Sequence, residues 1–159
     1  MYSITKKAII LAILIIIPKA SFAESLIDES EKTCLAKVIY HETRGEPLSG
    51  QKGVAKVVLN RKFDKHFPKT VCGVVNETTT NKGRKVCQFS WVCENNHQKF
   101  KPVYAKSFAE SEEVAMKVYF EKFRLPSLND ALYYHATYVR PGWKKEKIAQ
   151  IGQHIFYKE

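Results

Sequence analysis

The chain has 159 residues, with 26 Lys and Arg against 16 Asp and Glu, a formal charge of +10 and 45% hydrophobic residues. That is enough for one domain with a real core and too little for two comfortable ones. The basic residues form no block-like run, so the charge suits an anionic surface in general, whether wall polymer, lipid headgroup or nucleic acid.

The N-terminus carries Lys6 and Lys7, runs apolar from Ala8 to Ile17 and breaks at Pro18. Ser21-Phe22-Ala23 follows, with small residues one and three places before an expected cut after Ala23. This is the layout of a secretory signal peptide, and its apolar run is well short of the roughly 18 residues that suggest a spanning helix. An uncleaved membrane anchor is the competing reading. Cleavage is expected to export a single domain, residues 24–159, to the periplasm, cell envelope or exterior, with no stable membrane span. That domain keeps 23 basic and 16 acidic residues, a charge of +7. It also holds all four cysteines, Cys34, Cys72, Cys87 and Cys93. An even number in an exported chain points to disulfides. Of the three pairings open to it, Cys87 and Cys93 enclose only QFSWV and could staple that loop, leaving Cys34 with Cys72. Zinc is the alternative, but no CxxC pair supports it.

Asp28 followed by Glu31 resembles a capping box, so a helix is expected from about there to Thr43. On it Leu35, Val38, Ile39 and Glu42 recur at helical spacing, which continues an apolar stripe into a carboxyl group. A lone acid on a core-facing stripe is costly unless paired or neutralised, and this marks Glu42 as a candidate active-site acid. Gly45 and Pro47 then break the helix, with Glu46 beyond the break. Ser49 is the expected cap of a second helix, where Val54, Val57, Val58 and Arg61 share one side.

Residues 76–85, NETTTNKGRK, show no periodicity and read as an exposed loop. They lead into CQFSWVCE, whose aromatic groups make it the better candidate for ligand contact. Tyr104, Phe108, Ser111, Ala115, Val118 and Lys122 are spaced as a further helix with core-facing apolar members. After Pro126, ALYYHATYV and KIAQIGQHIFY favour strands and are expected to pair as a small antiparallel sheet. The fold class is therefore α+β, mainly helical, in a single domain.

Candidate chemistries narrow quickly. His41-Glu42 invites comparison with the HExxH zinc motif, but Gly45 stands where the second His belongs, and His66, His97, His135 and His154 show no ligand spacing. There is no GxSxG elbow for a Ser hydrolase. Glycoside chemistry fits better: it needs an acid kept protonated by an apolar wall and aromatic groups to hold sugar rings. Glu42 has the wall, and Phe89, Trp91, Tyr133, Tyr134 and Trp143 offer the rings. Glu46 could be the second carboxylate or a support for the turn.

The segments LAKVIYHETRGEPLSGQKGVAKVVLNR, VCGVVNE, CQFSWVCE, ALYYHATYVRPGW and IGQHIFY, in this order, resemble the SleB-type cell-wall hydrolase family. The resemblance implies a domain similar to lysozyme and lytic transglycosylase folds that cuts the glycan strands of peptidoglycan and needs no cofactor. The family's catalytic Glu maps onto Glu42, in a motif reading ETRGE with Thr43 for the commoner Ala. Its F-S segment maps onto Phe89-Ser90 and its aromatic strand onto Tyr133-Tyr134. The implied reaction is lytic transglycosylation by Glu42 as general acid and then base; muramidase hydrolysis at the same bond and a non-catalytic wall-binding or assembly module are the alternatives. Gln88, Ser90 and Tyr134 are candidates for binding the sugar acetamide, and Phe89 and Glu46 are further candidates for substrate binding. The separate wall-binding repeats of many relatives are not seen, so affinity is expected from the groove, the basic surface or a partner that the sequence does not name. A nucleic-acid partner has only the charge behind it.

Overall fold

The computed structural model describes residues 20–94, 103–120 and 125–159, the side chains of residues 20–28 and of Phe120 excepted. Most of the expected leader, along with His97 and Lys122, lies outside the described residues. Helix α1 spans Ala20–Glu42, so it begins ahead of the Asp28 start that the capping pattern suggests. Glu31 does not cap its own helix. Its carboxylate is 4% exposed and accepts the amides of Val71 at 2.7 Å and Cys72 at 3.2 Å, with Lys62 Nζ donating at 3.1 Å.

Those two amides open α3, Val71–Val75, a short helix not foreseen from the sequence. Its free N–H groups form a positive end that suits a carboxylate, and Thr70 Oγ1 accepts a third amide, from Gly73, at 2.9 Å. The Cys34–Cys72 disulfide joins α1 to α3, and Cys87–Cys93 closes the QFSWV loop, the pairing favoured by spacing.

Between α1 and α2 the chain turns at Gly45, whose φ of +82° is the left-handed conformation that ends helices and that glycine adopts without a Cβ clash. Helix α2 spans Leu48–Phe63. Pro47, not Ser49, stands at its N-cap: the extended Pro47 carbonyl accepts the Gly50 and Gln51 amides at 2.8 and 3.1 Å, placing Ser49 inside the first turn. Helix α4 spans Ala105–Phe120. Tyr104, placed on its apolar stripe by spacing, precedes the helix and is 56% exposed. The core is one cluster in which Leu35, Val38 and Ile39 of α1 meet Val54, Val57 and Val58 of α2, Val71 and Val74 of α3, and Val114, Ala115 and Val118 of α4. Each Val, Leu or Ile so buried contributes roughly 1.5–3 kcal/mol before entropy is charged against it.

The expected loop at residues 76–85 is a β-hairpin, β1 (Thr78–Asn81) antiparallel to β2 (Arg84–Cys87). Lys82 and Gly83 both take positive φ at its tip, the turn whose twist matches two antiparallel strands. Every residue of β1 is exposed, so no inward face imposes the alternation by which a strand is recognised. A short 3-10 helix, Ser90–Cys93, follows inside the disulfide loop. The second sheet has the order β3-β5-β4, from β3 (Tyr133–Ala136), β4 (Glu146–Ile151) and β5 (His154–Lys158). KIAQIGQHIFY is thus two strands joined at Gly152-Gln153, and ALYYHATYV pairs with the second of them through Tyr134 opposite Phe156. Phe156 is fully buried, which seats this sheet on the helical core.

Candidate active site

Three distant pieces of chain meet at the last residue of α1. The helical period delivers Glu42 to the rim of the core, and two donors grip its carboxyl group. Trp91 Nε1–H donates to Oε1 at 3.0 Å, and the Tyr134 hydroxyl donates to Oε2 at 3.2 Å. Burial raises the Glu42 pKa above the ordinary glutamate value, while the two hydrogen bonds, which favour the ionised form, pull it back in part. The result is an acid that keeps its proton to higher pH than usual and still has partners for its anion. Such a group can give a proton and take one back.

The donors are themselves held. Trp91 is 8% exposed, stacked on His41 at 4.4 Å between ring centroids and 15° between planes, and tilted against Phe89 at 5.9 Å. The 3-10 helix and the Cys87–Cys93 bridge fix the backbone beneath it. Burial, and then the Arg44 charge, hold the His41 pKa below its usual value, so a neutral imidazole faces the indole at neutral pH. Tyr134 lies edge-on to His154 at 5.3 Å and tilted against Phe156 at 6.1 Å. Burial and the nearby Glu42 charge push its phenol well above the ordinary tyrosine value, so it stays a donor.

Of the residues singled out from the sequence, Glu42 and Tyr134 come together directly. Phe89 is buried at 4% exposure and supports Trp91 from the core, whereas Gln88 and Ser90 are exposed on the same stapled loop. Thr43 is buried beside the acid and its hydroxyl donates to the Ile39 carbonyl at 2.6 Å, along the helix and not toward Glu42. Tyr133 alternates with Tyr134 and so faces away; it packs with Trp143 at 6.1 Å, on the other side of the sheet. Glu46 goes elsewhere. Its carboxylate accepts the Gln153 amide at 3.1 Å in the β4–β5 turn and lies 3.8 Å from His154 Nδ1, both side chains being 7% exposed. A Cβ on Gly152 would stand 2.0 Å from Glu46 Oε2, so only glycine lets the turn close over this carboxylate. The partner missed at the sequence level is Trp91 as a donor to Glu42. Its place in CQFSWVCE was the available signal, and His41 as its stacking partner had none beyond adjacency to the acid.

A carboxylic acid half buried at a helix end and gripped by two donors, on a mainly helical α+β frame, has the chemistry that proton transfer requires. Residues 45–157 match the family described as cell wall hydrolase, and the chain belongs to that family. The chain is similar to the spore cortex-lytic enzyme of Oceanobacillus iheyensis, 31% identical over 128 residues that make 78% of this chain and 40% of that protein. To the spore cortex-lytic enzyme of Bacillus subtilis it is 32% identical over 127 residues, 77% of this chain and 35% of that protein. The chain thus spans about two fifths of the length of these curated relatives. Its fold is that of the SleB catalytic domain. The Bacillus cereus SleB catalytic domain superposes with a TM-score of 0.58 at 29% identity, covering 82% of this chain and 91% of that one. For the catalytic domain of the germination-specific lytic transglycosylase SleB from Bacillus anthracis the TM-score is 0.59 at 29% identity, covering 82% and 95%. The family match begins at Gly45, just beyond Glu42, so the acid's part rests on the geometry around it. Among the described residues no helix is long and apolar enough to cross a membrane.

Proposed function

We propose that this protein is exported, with residues 1–23 as its leader, and cleaves peptidoglycan glycan strands as a lytic transglycosylase. The bond is the one between N-acetylmuramic acid and N-acetylglucosamine, and Glu42 is both acid and base. One arrangement carries the reading: the Glu42 carboxyl sits at the rim of the core, where burial favours its protonated form, between the Trp91 and Tyr134 donors that can receive its anion. Glu42 protonates the glycosidic oxygen as positive charge develops on the muramyl ring. With Glu46 engaged in the β4–β5 turn, the substrate's own acetamide is the group that steadies this charge, as in substrate-assisted glycosidases. Ionised Glu42 then removes the proton of the muramyl 6-hydroxyl as it closes a 1,6-anhydro ring. The exposed Gln88 and Ser90 line the approach and contact the acetamide. Phe89 acts beneath them as a support for Trp91, and Glu46 supports the turn that sets the end of α1.

The purified chain should clear insoluble peptidoglycan and release muropeptides, and Glu42→Gln should abolish release while the circular dichroism spectrum is unchanged. Mass spectrometry of the products assigns the outcome: anhydro ends support the transglycosylase, reducing ends mean that water replaces the hydroxyl as in a muramidase. Binding to peptidoglycan with no released fragment, equal for Glu42→Gln, would instead mark a non-catalytic wall-binding module.

A further inference from the structure

Arg61 stands out on α2 much as Glu42 does on α1. It shares a face with Val54, Val57 and Val58 and is 3% exposed. An apolar residue would be the cheaper occupant of that face, since burying a guanidinium is costly unless its donors are used. Only part of it is used within the described residues: Nε donates to the Leu132 carbonyl at 2.7 Å, whereas Nη1 makes no hydrogen bond there. The guanidinium also lies over the rings of Phe67 at 5.2 Å and Tyr133 at 5.7 Å. Its neighbour Asn60 reaches the same segment, donating from Nδ2 to the carbonyls of Leu128 and Ala131, each at 2.8 Å. Three backbone carbonyls and one ring between residues 128 and 133 are thus held from two consecutive positions of α2. The next residue along the chain is Tyr134, whose hydroxyl meets Glu42.

We propose that Asn60 and Arg61 are positioning residues of the acid site, clamping residues 128–133 so that the Tyr134 hydroxyl is delivered to Glu42. The inference rests on the reading of Glu42 as the acid. A rigid core helix is the right anchor, because β3 is short and, among the described residues, pairs with β5 alone. The Arg61 charge has a second effect. It opposes the rise of the Tyr134 pKa, which makes the phenol a stronger donor to the Glu42 anion.

The test is epistasis. Asn60→Ala and Arg61→Gln are each made in the wild-type chain and in Tyr134→Phe, and kcat and KM are measured on soluble glycan strands. Each is expected to lower kcat roughly tenfold or more with KM nearly unchanged, as a misplaced catalytic group does. In the Tyr134→Phe background each should lower kcat by less than about twofold, because residues acting through one another do not add. Losses that multiply fully in the double variants overturn the proposal. If Arg61→Gln does not fold, Asn60→Ala decides alone. A readout independent of turnover separates this inference from the functional one: the 13C titration of the Glu42 carboxyl, faced by Tyr134 from β3 and Trp91 from the 3-10 helix. Asn60→Ala should raise the Glu42 pKa, as Tyr134→Phe does, even if the wild type releases no fragment. A titration left in place by Asn60→Ala while Tyr134→Phe moves it refutes the clamp.

Discussion

Replacing Trp91 with Phe removes one donor from Glu42 while keeping a ring against His41 and Phe89. The indole N–H lies 3.0 Å from Oε1, and Tyr134 remains on Oε2 at 3.2 Å. A hydrogen bond to a charged group contributes about 1.5–3 kcal/mol. In the proposed reaction the Glu42 anion forms as the proton passes to the leaving oxygen, so the loss should fall on the transition state more than on the bound substrate. At 1.36 kcal/mol per tenfold, kcat should drop about tenfold to a hundredfold at a pH where Glu42 is fully protonated. The pH profile should move as well. As the proposed general acid, Glu42 works only while protonated, so activity should decline as the pH rises through its pKa. Trp91 favours the anion, hence its loss raises that pKa further and carries the basic limb to higher pH. Initial rates of muropeptide release across the acid to alkaline range measure both effects. A variant with wild-type kcat and an unmoved basic limb would refute the claim that Trp91 holds the acid, and a limb displaced to lower pH would show its sign to be wrong.

The same raised pKa has a consequence for stability. The folded state holds the Glu42 proton more tightly than the unfolded chain does, so its contribution is fully present below the ordinary glutamate pKa and is lost as the pH rises through the folded value. Glu42→Gln should therefore unfold at a higher temperature than the wild type at neutral pH, with the difference gone in acid; calorimetry at both pH values checks it. Glu31→Ala leaves the Val71 and Cys72 amides and Lys62 without their buried partner, at a cost of about 3–5 kcal/mol. A lower urea midpoint at unchanged slope is expected, and an unmoved midpoint would exclude Glu31 as the anchor of α3. Serine at both Cys87 and Cys93 opens the staple beneath Trp91. So short a loop stabilises by only about 2 kcal/mol in the chain-entropy description. The protein should still fold while turnover falls about tenfold or more, and wild-type turnover would show that the bridge does not position the indole.

What could be read from the chain in advance divides along a physical line. A helical period reports which side of a helix is buried, so Leu35, Val38, Ile39 and Glu42 could be set on one stripe, and Val54, Val57, Val58 and Arg61 on another, before any contact was known. Turn chemistry reports where a helix must stop, and Gly45 with Pro47 separated Glu42 from Glu46 correctly. Both signals are local. The hairpin at residues 78–87 escaped because it has no buried face to write a period into its sequence. Glu31 was assigned to the nearest helix start, yet the amides it serves lie 40 and 41 positions away.

The acid site follows the same division. Trp91 is 49 positions from Glu42 and Tyr134 is 92, so no spacing along the chain brings them together. What brings them together is a disulfide-closed loop on one side and a sheet seated by Phe156 on the other. A polar residue on an apolar stripe can therefore be recognised from its period as costly, and its purpose lies in the group that meets it across the fold. Glu31, Glu42 and Arg61 are three such residues, each at a place where an apolar side chain would be simpler to bury. Glu31 joins α1 to α3, Arg61 joins α2 to the segment leading into β3, and Glu42 stands between the indole and the phenol. Glu31 has its charge fixed in hydrogen bonds, and Arg61 has its own held by one hydrogen bond and two aromatic rings. Glu42 differs because burial opposes its charge while its two donors favour it, and that opposition is what a group needs if it is to lose a proton and recover it in one turnover.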